Sequence, residues 1–152
     1  MEVFPETENA HVNLSLEYSG GEEQYRDFEK ALHHGKIALS MRPGKDKYKL
    51  NLGVLYGKSG RADHCVDTVT NAMNEHPNSR HTPTMLTLLG QCLIDMGRFE
   101  RANDALVQAV SRGHPSAPAS LHKLKNLMKD PEREKENRRL WEEKRNSIGQ
   151  EY

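Results

Sequence analysis

Two stretches of this chain close in the same way 34 residues apart: Ala38-Leu39-Ser40-Met41-Arg42-Pro43 and Ala72-Met73-Asn74-Glu75-His76-Pro77. A repeat of that period is one supersecondary unit that cannot bury its apolar face alone, so neighbouring units must stack to make a core. A third closure, Ala109 with His114-Pro115, comes 37 residues after Ala72. About three extra residues must therefore sit between the second and third units. The run Asn78-Ser79-Arg80-His81-Thr82-Pro83 supplies them as turn-forming sequence.

Within the units the apolar spacing is helical. Leu50, Leu52, Gly53, Val54 and Tyr56 share one face before Gly57-Lys58-Ser59-Gly60, and Ala62, Cys65, Val66, Val69, Ala72 and Met73 then recur at threes and fours. The third unit follows the same plan. Leu86, Leu89, Gly90, Leu93 and Ile94 precede Met96-Gly97, and Phe99, Ala102, Leu106, Ala109 and Val110 follow. Each unit reads as a helix hairpin in which Gly closes the first helix in a left-handed cap and Pro starts the next unit.

These residues resemble the tetratricopeptide repeat. In that register Gly53 and Gly90 are the small residues that let helix A approach its partner, and Gly60 and Gly97 make the turn. Ala31, Cys65 and Ala102 take the small position of helix B, Ala38, Ala72 and Ala109 a later one, and Pro43 and Pro77 the closing Pro. The resemblance implies an all-α, right-handed solenoid of antiparallel helix hairpins with about three repeats. The units are a degenerate repeat at 12–45 and fuller repeats at 46–79 and 83–116, after a flexible N-terminus at 1–11. A solvating helix at 117–130 and a charged C-terminal helix or tail at 131–152 complete the chain. Departures concentrate in the first unit: Gly20-Gly21 interrupts helix A, while helix B reads clearly from about Glu22 to Met41.

In the solvating helix Leu121, Leu124, Leu127 and Met128 lie on one face. Asp130-Pro131-Glu132 then restarts a helix, with Asp as N-cap and Pro at the first helical position. Beyond it nearly every residue is charged, and Glu134 stands four before Arg138. Leu140 and Trp141 are the large apolar exceptions up to Asn146. They either pack back locally or dock on a partner.

Composition narrows the functional classes. With 35% hydrophobic and 29% charged residues, the chain suits an elongated stack better than a sphere around one core. Lys plus Arg and Asp plus Glu are both 22, which argues against a dedicated nucleic-acid binder or an anionic-membrane ligand. The opening Met1-Glu2-Val3-Phe4-Pro5-Glu6 carries no apolar signal region, and no apolar run reaches membrane-spanning length. Cys65 and Cys92 fall in helical patterns and make no disulfide framework, so a reducing, cytoplasmic setting is expected.

No motif asks for catalysis, a cofactor or a metal. Gly53-Val54-Leu55-Tyr56-Gly57-Lys58-Ser59 has three residues between its glycines where a phosphate loop has four, and it ends a helix. The pairs His33-His34 and His64-Cys65 are sequence neighbours, which point about 100° apart on a helix and cannot share a ligand.

What remains is protein binding. The resemblance implies a concave surface lined by A helices, here Lys47, Leu50, Asn51, Val54 and Lys58, then Thr84, Thr87, Leu88, Gln91 and Asp95, extended by Leu121 and Lys125. Its partner would be a peptide or helix of a larger complex, unless the chain's own N-terminal segment covers Leu50 and Val54. Family members that clamp a chaperone's C-terminal carboxylate use five Lys, Asn and Arg side chains. At those positions stand Leu16, Gly20, Asn51, Thr84 and Leu88, so only Asn51 survives and that role is not implied. Two alternatives are a homo-oligomer or larger assembly joined through Leu140 and Trp141, and RNA association through Arg112, His114, His122, Lys123, Lys125 and Lys129.

Overall fold

The structure, a computed structural model, describes residues 27–148. Among these are seven helices: α1 (Phe28–Met41), α2 (Asp46–Lys58), α3 (Ala62–Glu75), α4 (Thr82–Asp95), α5 (Phe99–Ser111), α6 (Ala117–Met128) and α7 (Pro131–Ile148). Consecutive helices from α1 to α6 pack on one another, and α2, α4 and α6 also touch in sequence along one side. That is a solenoid of helix hairpins.

Helix α1 begins at Phe28, where the Asp27 carboxylate accepts the Lys30 N–H at 3.0 Å and caps it. The stretch from Glu22 to position 26 that periodicity also assigns to this helix lies outside the described residues. The expected helix A of the first unit and the N-terminal stretch lie outside the described residues. The two hairpin turns are alike in detail. Gly60 and Gly97 adopt φ of +82° and +70°, a conformation that favours glycine. The next residue's N–H reaches back into the helix in each case, Arg61 to the Tyr56 carbonyl and Arg98 to the Leu93 carbonyl, both at 2.8 Å. These are Schellman closures, and they satisfy carbonyls that a helix end leaves open.

Inside the hairpins the small A-helix residues do what the register requires. A Cβ on Gly53 would lie 2.7 Å from Val69 Cγ2, and one on Gly90 would lie 2.6 Å from Leu106 Cγ. The B-helix side chain fills the space that glycine leaves, so two helix backbones close to contact. The continuous core runs from Ala31 and Leu32 through Leu52, Val69 and Met85 to Phe99, Leu106 and Leu124. Within the α2–α3 hairpin Lys49 spans to Glu75 and to Asn71 Oδ1, and beyond it the Ser79 hydroxyl binds the Asp46 carboxylate. The loop that lengthens the repeat is thereby tied to the start of α2.

One expectation is corrected. Cys65 of α3 and Cys92 of α4 are joined in a disulfide, with their Cα atoms 6.7 Å apart. Each cysteine occupies an ordinary apolar position of its own helix, but stacking brings the two positions together. The cysteines therefore give no ground for a reducing compartment.

The charged helix α7 does not project into solvent. It returns across the hairpin turns, as described below. No helix among the described residues is long and apolar enough to cross a membrane.

Candidate functional site

A groove of about 370 Å³ opens between α2 and α4 and is closed on its far side by the residues before α6. Seven of the twelve expected surface residues meet there: Val54, Lys58, Thr84, Thr87, Leu88, Gln91 and Asp95. Four residues not singled out from sequence join them: Gly57, Cys92, His114 and Ser116. Gly57 and Cys92 border the expected face, next to Lys58 and Gln91 in sequence. His114 and Ser116 come from the turn after α5, where no A-helix register could have placed them. The His114 Nδ1 lies 3.1 Å from Ser116 Oγ, which orients the imidazole on the groove wall.

The other five expected residues lie elsewhere. Leu50 is only 7% exposed and belongs to the core. Lys47 and Lys125 are exposed at opposite ends of the array, and Asn51 and Leu121 are half-buried, Leu121 against the core. Within the groove, the buried Thr87 donates its hydroxyl to the Pro83 carbonyl at 2.9 Å, so its hydrogen is not available to a ligand. The floor is then Val54, Leu88, Gly57 and Cys92, while Lys58 and Asp95 stand at the C-terminal ends of α2 and α4. Surrounding protein pushes the Asp95 carboxyl up from its ordinary value, against the pull of Lys144 and Lys123. Over a third of the residue is open to water, which keeps that effect modest. Such a surface offers shape and apolar contact with a few polar groups at its rim.

A second feature lies along the turns. Helix α7 starts as the sequence predicts, with the Asp130 carboxylate accepting the Glu132 N–H at 3.0 Å and with Arg138 3.3 Å from Glu134. It then lies directly on Gly97, where a Cβ would be 2.7 Å from both the Arg138 nitrogen and the Glu134 carbonyl oxygen. Asn137 donates to the Ile94 carbonyl at 3.2 Å, and Arg138 donates to the Gly97 carbonyl at 3.0 Å. Both acceptors lie at the C-terminal end of α4, where a cationic donor is also favoured by the helix dipole. Farther along, Trp141 is half-buried against the core, Arg145 stacks over its ring at 5.5 Å, and the Lys144 stem covers Gly60. Leu140 is 48% exposed and borders the cleft beside Trp141. A cleft of about 250 Å³ beneath α7 shares Gly57 and Asp95 with the groove.

No protein-family model matches the sequence, and no curated protein matches it. Solved structures do match the fold. The tetratricopeptide domain of Sgt2 from Aspergillus fumigatus superposes with a TM-score of 0.70 at 19% identity, covering 86% of this chain and 83% of that one. The N-terminal domain of stress-induced protein-1 from C. elegans gives 0.65 at 16% identity, covering 82% and 99%. The type III secretion chaperone SycD from Yersinia enterocolitica, solved in complex with a peptide of the translocator YopD, gives 0.67 at 16% identity, covering 86% and 100%. The fold is therefore of the tetratricopeptide type.

Proposed function

We propose that this chain is a non-enzymatic adaptor that holds a segment of a partner protein in the groove between α2 and α4. The observation that carries the reading is the apolar floor of Val54, Leu88, Gly57 and Cys92, which no following helix among the described residues covers. Exposed apolar surface of this kind is costly unless something occupies it. The likeness to SycD, solved with a peptide of its translocator, supports a segment of protein as the occupant. The groove's neutral middle and its charged rim suit a mainly apolar segment with a polar flank.

The test leaves the core untouched. Thr84 and Gln91 are exposed on the groove, so Thr84→Arg and Gln91→Trp together fill it without displacing a buried side chain. Partners recovered by affinity purification from the native source should be lost, while the circular-dichroism spectrum stays helical. An unchanged set of partners from the doubly substituted chain removes the proposal.

A further inference from the structure

We propose that the Cys65–Cys92 bond is a reversible redox clasp that controls how firmly hairpin α2–α3 is held against α4, and hence the rigidity of the groove floor. The repeat itself supplies the argument. At the place of Cys65 the other units have Ala31 and Ala102, both fully buried, so a sulfur is not needed to fill that space. At the place of Cys92 the preceding unit has Leu55, 2% exposed. The corresponding positions of α1 and α2 thus hold alanine and leucine in the same core, whereas those of α3 and α4 hold two bonded cysteines. A third position changes with them. Gly57 stands where the following unit has Ile94, and a Cβ there would lie 3.1 Å from Cys92 Sγ and 3.8 Å from Cys65 Sγ. The glycine leaves room for the bonded sulfurs at the meeting point of three helices.

Both cysteines are buried, but only Cys92 also borders the groove. A dithiol reductant therefore reaches the bond from the groove side, when the floor opens locally. Its thiolate bonds to Cys92 Sγ, and the sulfur–sulfur bond breaks with Cys65 leaving as a thiolate that takes up a proton. The reductant's second thiol then attacks its own bonded sulfur and releases Cys92 as a thiol. Two electrons and two protons pass to the protein, and the reductant leaves as a disulfide. Reduced, the junction keeps only its packing, and α3 and α4 meet beside Gly57 of α2 without a cross-link.

The proposal concerns the stiffness of the floor and holds whether or not a partner fills the groove. Its test uses the whole chain, equilibrated across dithiol–disulfide buffers. Alkylation followed by intact-mass measurement should show both thiols appearing together over one two-electron transition. Amide exchange around Gly57 and Cys92 should quicken by about tenfold or more on reduction, while α5 and α6 keep their protection. Cys65→Ala, which installs the residue of the neighbouring units, should exchange like the reduced chain in every buffer. Both thiols remaining free under oxidising conditions would overturn the proposal. So would identical exchange in the reduced and oxidised chains, a comparison that needs no variant to fold.

Discussion

The interior of the hairpins and the edge formed by their turns are both built on glycine, and they use it in opposite ways. At Gly53 and Gly90 the missing side chain admits an apolar one, from Val69 or Leu106, and the contact is part of a dry core. At Gly97 it admits a helix backbone, and the contact is finished by polar groups, with Asn137 and Arg138 donating to the carbonyls of Ile94 and Gly97. The first arrangement makes stability out of buried area. The second makes a seat, specific in geometry and held by few apolar groups, of which Trp141 is the largest. A small residue in a repeat motif therefore carries two separate instructions, one for the fold of the hairpin and one for what lies across it.

If that contrast is right, damage to the interior should far exceed damage to the edge. Phe99, 1% exposed, should cost about 3–5 kcal/mol when replaced by alanine, measured by denaturant unfolding. A loss no larger than that of an edge variant would erase the distinction. Gly97→Ala should come next, at about 1–3 kcal/mol, because it places a side chain both at positive φ and against the α7 backbone. Its signature is local. Trp141 is the only tryptophan in the chain, so its emission should shift to the red as α7 lifts, while the body keeps its helicity. Unshifted emission from a folded Gly97→Ala protein would mean that the seat does not depend on the glycine.

A smaller effect belongs to the loop between hairpins. The Ser79 hydroxyl, aided by the Lys47 N–H and the charges of His81 and His76, holds the Asp46 carboxyl below its ordinary value against the cost of burial. A depressed carboxylate contributes stability above the ordinary aspartate range and loses it as the pH falls through the folded value. Ser79→Ala should therefore cost about 1 kcal/mol near neutrality and flatten the acid side of the stability curve. Equal acid sensitivity in both proteins would rule this out. Smallest of all, Arg139→Ala removes exposed pairs with Glu136 and Glu143 and should leave the unfolding midpoint unchanged within error by the same measurement.

The parts of this architecture that were legible in the sequence are those governed by local spacing. Gly60 and Gly97 announce the turns, Gly53 and Gly90 the close approaches, and Asp130-Pro131 the start of α7, because each is a demand of one helix or one hairpin. Contacts between units were not legible in the same way. Cys65 and Cys92 each look like a core position of their own helix, and only the stacking of one unit on the next brings the two sulfurs together. Leu50 reads as a groove residue in the register yet is buried, because the face of a helix does not say which neighbour arrives. The seat of α7 leaves almost no periodic trace, since backbone carbonyls receive it and the repeat register is silent about carbonyls. For the groove, the A-helix register identified much of the lining, but not the wall that His114 and Ser116 add from a loop.

Arrays of this kind ordinarily behave as one-dimensional chains, coupled only to nearest neighbours and free to unzip from either end. Helix α7 changes that connectivity. Running from Gly97 to Gly60, it bridges two turns that do not otherwise follow one another along the chain, and Arg145 reaches to 3.9 Å from Asp63 beyond them. The third hairpin can thus fray only after a staple laid across the second has been lifted. Partial opening of the described array should begin at α1, which leaves the segment from α2 to α7 to melt as a single cooperative block.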